Sequence, residues 1–417
     1  MKSEWSLYRE LLARRDFTVY VFAYYLASFG SVMTLFAIWA QIYQLHQNAM
    51  ALGVATILEI LPGILIAPYA GLLADRMSKR TLLIAAFVLR GLTVAGMFFS
   101  TELWQLFVLV GLHSTFGAFE QPPHRALLPL LVRPDQYVTM NAFLATLNNF
   151  LQIFKPALAG ALVGALGYKM AYAIDFWTYF LPAAALLLIR VKDVSAERGE
   201  DGAPQPGMWQ EVREGVAYIR TEPILVYIFI FMMCFTLAMG MQGTLTYVFV
   251  DQHLASPDEV SSVTGILFSA LGIGGLIGAF FTPRLIRRMN MLWLLFGSLA
   301  FDGCLVVLFS MSQTVWLAVS CFALFGIVNS VTQIVQDTLI QTIVPEGMRG
   351  RVYGAFGPIT GPISLLSIST GTSLSTVIGV RAMFLIAGLM EILTVLFCRL
   401  LPMYQSVRAS LQRVTFR

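Results

Sequence analysis

Twelve apolar runs, bounded by charge, proline or glycine, follow one another along the chain at roughly 17–43, 50–71, 81–100, 102–123, 138–166, 169–190, 223–250, 260–282, 291–311, 314–340, 350–378 and 381–401. A bilayer's hydrocarbon core takes about 20 apolar helical residues per crossing, so each run is long enough to span it. Apolar residues make up 58% of the 417 and charged residues 12%, about half the charged share of a soluble domain. The pattern predicts an all-α membrane protein of twelve transmembrane helices.

The only long polar stretch, Val191 to Thr221, lies between the sixth and seventh runs and holds Glu197-Arg198-Gly199-Glu200-Asp201-Gly202, Pro204 and Pro206. It predicts a six-helix bundle over 1–190, a cytoplasmic linker with an amphipathic helix over 191–221, and a second bundle with a short tail over 222–417. Lys and Arg are held back on the cytoplasmic side of short loops. With the N-terminus inside, only Lys169 and Arg381 fall in outer loops, while Arg76, Lys79, Arg80, Arg125, Arg133, Arg284, Arg287, Arg288, Arg349 and Arg351 are cytoplasmic. The net charge of +4 thus reflects topology and gives no reason to expect a nucleic-acid partner. No signal peptide is visible. The four cysteines, Cys234, Cys304, Cys321 and Cys398, all fall in apolar stretches without CxxC spacing, so neither a disulfide framework nor a metal site is expected.

The two halves repeat. Trp5, Arg9 and Glu10 recur as Trp209, Arg213 and Glu214, each ahead of a long apolar run and each with helical apolar spacing, which predicts amphipathic helices on the inner surface. Gly71 with Lys79 and Arg80 is echoed by Gly278 with Arg287 and Arg288, and Pro134 with Asn141-Ala142-Phe143 by Pro345 with Gly354-Ala355-Phe356. Parallel repeats of this kind are common in transporters.

No phosphate loop, HExxH or GxSxG elbow is present, so the chain is not read as an enzyme and no cofactor is expected. Gly272-Ile273-Gly274-Gly275-Leu276-Ile277-Gly278 misplaces the third glycine of a dinucleotide fingerprint and fits close helix packing better. The specific signal is Gly71-Leu72-Leu73-Ala74-Asp75-Arg76-Met77-Ser78-Lys79-Arg80, between the second and third runs. It resembles the G-x-L-A-D-R-x-G-R-K signature of the major facilitator superfamily, with Ser78 in place of a glycine. Leu127-Leu128-Pro129 to Asn141-Ala142 and Arg349-Gly350-Arg351-Val352 are similar to its bacterial efflux branch, which holds macrolide-efflux proteins and the enterobactin exporter. The resemblance implies two pseudo-symmetric six-helix bundles in a bacterial inner membrane, both termini cytoplasmic.

A carboxylate and several bases at inner helix ends can latch one half against the other, which makes Gly71, Asp75, Arg76, Lys79 and Arg80 candidates for gating, with Asp75 central. The bases alone could equally fix topology. Lys155-Pro156-Ala157-Leu158-Ala159-Gly160 resembles the superfamily's G-P-x-x-G-G antiporter motif at Pro156 and Gly160. A kinked helix with a small packing face explains those two, but not Lys155.

Glu59, Arg90, Lys155 and Asp175, with His113 as a titrating group, are the candidates for coupling. Glu59 and Arg90 lie about 18 and 15 Å from the inner ends of adjacent helices, which predicts either an ion pair between them or a free, proton-carrying Glu59. Family architecture implies that helices 3, 6, 9 and 12 are peripheral, which assigns Asp302 and Glu391 to packing or interface. Glu120 stands one position before the acid of relatives, a turn of about 100°, so the relatives' role does not transfer to it.

The same architecture places Tyr24, Tyr25, Ser28, Gln41, Asn148, Asn149, Gln152, Gln242, Asn329, Gln333 and Gln336 on cavity-facing helices, among many Phe and Met. Scattered amides and phenols in an apolar pocket suit bulky amphiphiles, although many such groups bridge helices. The expected function is export of a hydrophobic or amphiphilic, drug-like small molecule by proton antiport through alternating access. A siderophore or lysolipid exporter of the same fold is the alternative, and a non-transporting membrane receptor a distant one. The expected partners are that substrate, protons and membrane lipid, with the protein monomeric.

Overall fold

The computed structural model describes residues 4–189 and 208–400, and every regular element among them is helical. The linker residues 191–207 and the tail after Leu400 lie outside the described residues. The chain divides into two compact units, Met1–Ala203 and Pro204–Arg417.

In the first unit α1 (Glu4–Leu12) precedes α2 (Arg15–His46), α3 (Ala49–Arg76), α4 (Lys79–Phe99), α5 (Leu103–Ala118), a short α6 (Gln121–Leu127) and α7 (Tyr137–Leu188). The second holds α8 (Met208–Thr221), α9 (Pro223–His253), α10 (Val260–Arg288), α11 (Met291–Ser310), α12 (Val315–Ile343), α13 (Glu346–Ile378) and α14 (Val380–Leu400). Nine described helices are long and apolar enough to cross a membrane. One of them, α7, holds two crossings, since its 52 residues bend at Gly167, whose φ of 76° only glycine adopts cheaply. The short α5 and the Gly, Ser and Thr-rich α13 complete twelve.

Ends are set locally. The Asn48 side chain accepts from the N–H groups of Met50 and Ala51, Asn290 from Leu292, and Thr314 from Leu317. The fourth crossing is shorter than the expected 102–123: α5 stops at Ala118, the chain turns at Phe119, and Pro122 and Pro123 open a separate helix in their first turn.

Each unit packs by the same scheme. In the first, α2 lies on α7, α3 on α5, and α4 on α5 and α7; in the second, α9 lies on α13, α10 on α12, and α11 on α12 and α14. Gly379, with φ 86°, turns α13 into α14 as Gly167 turns the two crossings of α7. The glycine-rich run of α10 is a packing seam. A Cβ at Gly274 would sit 1.8 Å from the Ala323 carbonyl oxygen, and one at Gly326 1.9 Å from that of Leu271, so the α10 and α12 backbones touch there. The amphipathic helices are clipped to their own units, α1 by the Glu10–Arg133 ion pair and α8 by Glu214–Arg351.

Candidate functional site

Gly71, Asp75 and Arg76 occupy the last two turns of α3, and Lys79 and Arg80 open α4. Ser78, which replaces the family glycine, caps α4 by accepting from the Thr81 N–H. Arg80 donates to the Leu187 carbonyl oxygen at 2.9 Å, tying α4 to the end of α7. The side chains of Asp75, Arg76 and Asn149 lie outside the described residues.

Arg90, with Glu120, and His113, with Glu59, converge on Tyr179, although the expected Glu59–Arg90 pair is not made. Arg90 Nη1 lies 2.5 Å from Glu120 Oε2, and its guanidinium sits 4.8 Å over the Tyr179 ring. Glu59 Oε1 lies instead 3.7 Å from His113 Nδ1, and His113 Nε2 is 3.0 Å from the Tyr179 hydroxyl. Ser31 Oγ approaches that hydroxyl at 2.8 Å. Depth along a helix says nothing of azimuth, and the turn at Phe119 brings Glu120, set aside in the sequence, to Arg90 in the middle of α4. Asp175 is fully buried and accepts from Thr34 Oγ1 at 2.5 Å and Thr178 Oγ1 at 2.7 Å. Gly30 makes room for it, since a Cβ there would lie 1.8 Å from Asp175 Oδ1.

Several residues expected to face the substrate hold helices together. Gln41 donates to the Ser100 carbonyl and hydroxyl oxygens and accepts from the Tyr172 hydroxyl. Tyr24 is buried and stacks on His124 at 3.7 Å, while the Tyr20 hydroxyl lies 2.7 Å from His124 Nδ1 and Gln121 donates to the Tyr24 hydroxyl. Burial pulls the His124 imidazole down to about 4, with the neighbouring Arg125 charge adding to it. His124 docks α6 against α2, a contact that α6's loop-like sequence does not advertise.

Lys155, in the crossing that Pro156 interrupts, donates from Nζ to Ser28 Oγ at 2.6 Å and lies 5.8 Å over the Tyr25 ring. Glu59 and Asp175 have the other partners described above. Gly160, one turn on, is buried.

In the second unit Asn329, Gln333 and Gln336 of α12 line a cavity of about 360 Å³ with Met232, Phe235 and Thr236 of α9 and Tyr353, Phe356 and Thr360 of α13. The Tyr353 hydroxyl donates to Asp337 Oδ1 across its edge. A smaller cavity of about 80 Å³ shares Asn329 and reaches Gln242, Asp302, Phe268, Phe322 and Phe325. Gln242 donates to Glu391 Oε1 at 2.8 Å. Asp302 and Glu391, assigned from the sequence to packing or interface, are 3% and 0% exposed. The Asp302 and Glu391 carboxyl groups lie within hydrogen-bonding reach of each other, and Asp302 Oδ1 and Glu391 Oε2 have no other partner.

The Major Facilitator Superfamily profile matches residues 20–367. Macrolide efflux protein A of Streptococcus pyogenes is 25% identical over 87% of this chain and 89% of its own. The enterobactin exporter EntS of Citrobacter koseri is 22% identical over 80% and 79%. Among solved structures, the nucleoside transporter NupG superposes with a TM-score of 0.71 at 14% identity, over 92% of this chain and 98% of that one.

Proposed function

Because the chain belongs to the Major Facilitator Superfamily, we propose that it is a secondary active exporter of a hydrophobic or amphiphilic, drug-like small molecule. The observation that carries this reading is the cavity of the second unit. Asn329, Gln333 and Gln336 stand among Met232, Phe235, Tyr353 and Phe356 in about 360 Å³, an apolar wall with a few placed amides that suits bulky amphiphiles. Relatives named for macrolide efflux support the direction. Membrane carboxyl groups, Glu59 and Asp175 in one unit and Asp302 and Glu391 in the other, support coupling to protons in an alternating-access cycle. The protein works as a monomer in the bacterial inner membrane with both termini cytoplasmic. A siderophore cargo is the second reading, favoured by the enterobactin exporter among the relatives.

Growth of a hypersensitive bacterial strain, with and without the gene, across chemically varied toxicants tests the export reading. Protection against several amphiphiles that vanishes on collapsing the proton gradient is the expected result. Unchanged sensitivity to every compound, with the protein present in the membrane, sinks it.

A further inference from the structure

Lys155 is a cation within a membrane crossing, and its partners are neutral. Nζ donates to Ser28 Oγ at 2.6 Å and faces the Tyr25 ring at 5.8 Å. Among the described residues no carboxylate lies within ion-pair distance of it. Three membrane acids of the same unit have other partners, Glu59 beside His113, Glu120 on Arg90, and Asp175 under Thr34 and Thr178. A half-buried ammonium in a membrane crossing without a counter-charge is left for water or an incoming anion to meet.

The surroundings are laid out to receive it. An ammonium has three N–H donors and Ser28 takes one, while the Ser28 hydroxyl keeps its own proton to give. Gln152 is exposed one turn before Lys155, and Asn148, which hydrogen-bonds Tyr25, one turn before that. These three share a helix face.

We propose that Lys155 and Ser28, with Gln152 and Asn148 beside them, form a binding site for the carboxylate of an amphiphilic substrate. Lys155 supplies the counter-charge and Ser28 a second donor to the same oxygen pair. The proposal rests on the exporter reading and narrows its cargo to molecules with an acidic end. It also accounts for a lysine where the antiporter pattern has glycine, since a glycine there offers no charge.

Binding of dansylaminoundecanoic acid and of its primary amide to the purified full-length protein in a neutral detergent tests it, because the two differ in charge and hardly in shape. The wild type should bind the acid at least about tenfold more tightly than the amide, and Lys155→Gln, which keeps a donor toward Ser28, should remove that preference and leave amide binding within about twofold. Lys155→Arg should keep it. Equal binding of acid and amide by the wild type, or an undiminished preference in Lys155→Gln, overturns the site. Should Lys155→Gln fail to fold, Ser28→Ala decides: a preference reduced severalfold supports the site and an unchanged one overturns it. Protection of the hypersensitive strain against neutral toxicants alongside an absent preference removes this site and leaves the exporter standing. A preference without any export does the reverse.

Discussion

Arg351 Nη1 lies 2.9 Å from Glu214 Oε2, holding the amphipathic helix α8 on α13. The first unit makes the matching contact between Glu10 on α1 and Arg133, just ahead of α7. The acids, Glu10 and Glu214, are equivalents in the internal repeat, whereas the bases are not, since Arg133 precedes Pro134 and Arg351 follows Pro345. Both pairs are partly exposed, so each contributes at most about 1 kcal/mol and sets geometry more than stability.

The closer constraint on α8 is steric. A Cβ at Gly215 would fall 2.1 Å from the Arg351 carbonyl oxygen, so backbone meets backbone. Gly215→Val should therefore lower thermal stability by about 1–3 kcal/mol, clearly more than Arg351→Ala, in unfolding scans of the detergent-purified protein. Equal small losses for both substitutions would mean that α8 shifts freely and the clip is ornamental.

The Arg90–Glu120 pair makes a different demand because it is buried. Removing one partner leaves a charge in the membrane interior without its counter-charge, which costs about 3–5 kcal/mol, whereas replacing both by apolar side chains of similar size costs far less. Arg90→Met and Glu120→Leu should each destabilise strongly, and the double variant should recover most of the loss. Additive losses in the double variant would argue that the two residues do not act as a pair.

His124 yields a pH prediction with a definite sign. Its folded-state pKa of about 4 lies below the ordinary 6.5, so between those values the unfolded chain binds more protons than the folded one. The stability it contributes is full above pH 6.5 and is lost as pH falls toward 4. Thermal scans across that window should fall more steeply for the wild type than for His124→Gln. Parallel curves would show that the imidazole does not stay neutral against Tyr24.

The crossings were legible in the sequence because length and apolarity alone decide them, and because Gly167 and Gly379 mark bends that nothing but glycine makes easily. Partners were not. Glu59 and Arg90 share a depth but not a direction, and the turn at Phe119 that delivers Glu120 depends on two prolines within a segment that reads as apolar. Gln41 and Tyr24 look like substrate groups in one dimension because burial against Tyr172 and His124 appears only when the helices are packed. Lys155 was legible as an anomaly, a charge where the pattern wants glycine, although the neutrality of its partners was not.

The proposed latch can be tested through helix electrostatics. Asp75 sits in the last turn of α3, where the macrodipole is negative, and Lys79 and Arg80 sit in the first turn of α4, where it is positive. Each charge is on the unfavourable end of its helix, at a local cost of up to about 1 kcal/mol. Topology alone accounts for Lys79 and Arg80, so it is Asp75, an acid at the negative end of α3, that points to a role in the transport cycle. Asp75→Asn should consequently leave thermal stability unchanged or slightly raised while slowing export about tenfold, with substrate affinity within about twofold, since a latch changes the balance of states and does not touch the cargo. Stability, binding and transport rates of the same purified variant separate the cases: normal export with unaltered accessibility of cavity cysteines removes Asp75 from the cycle, and a large fall in stability makes its role structural.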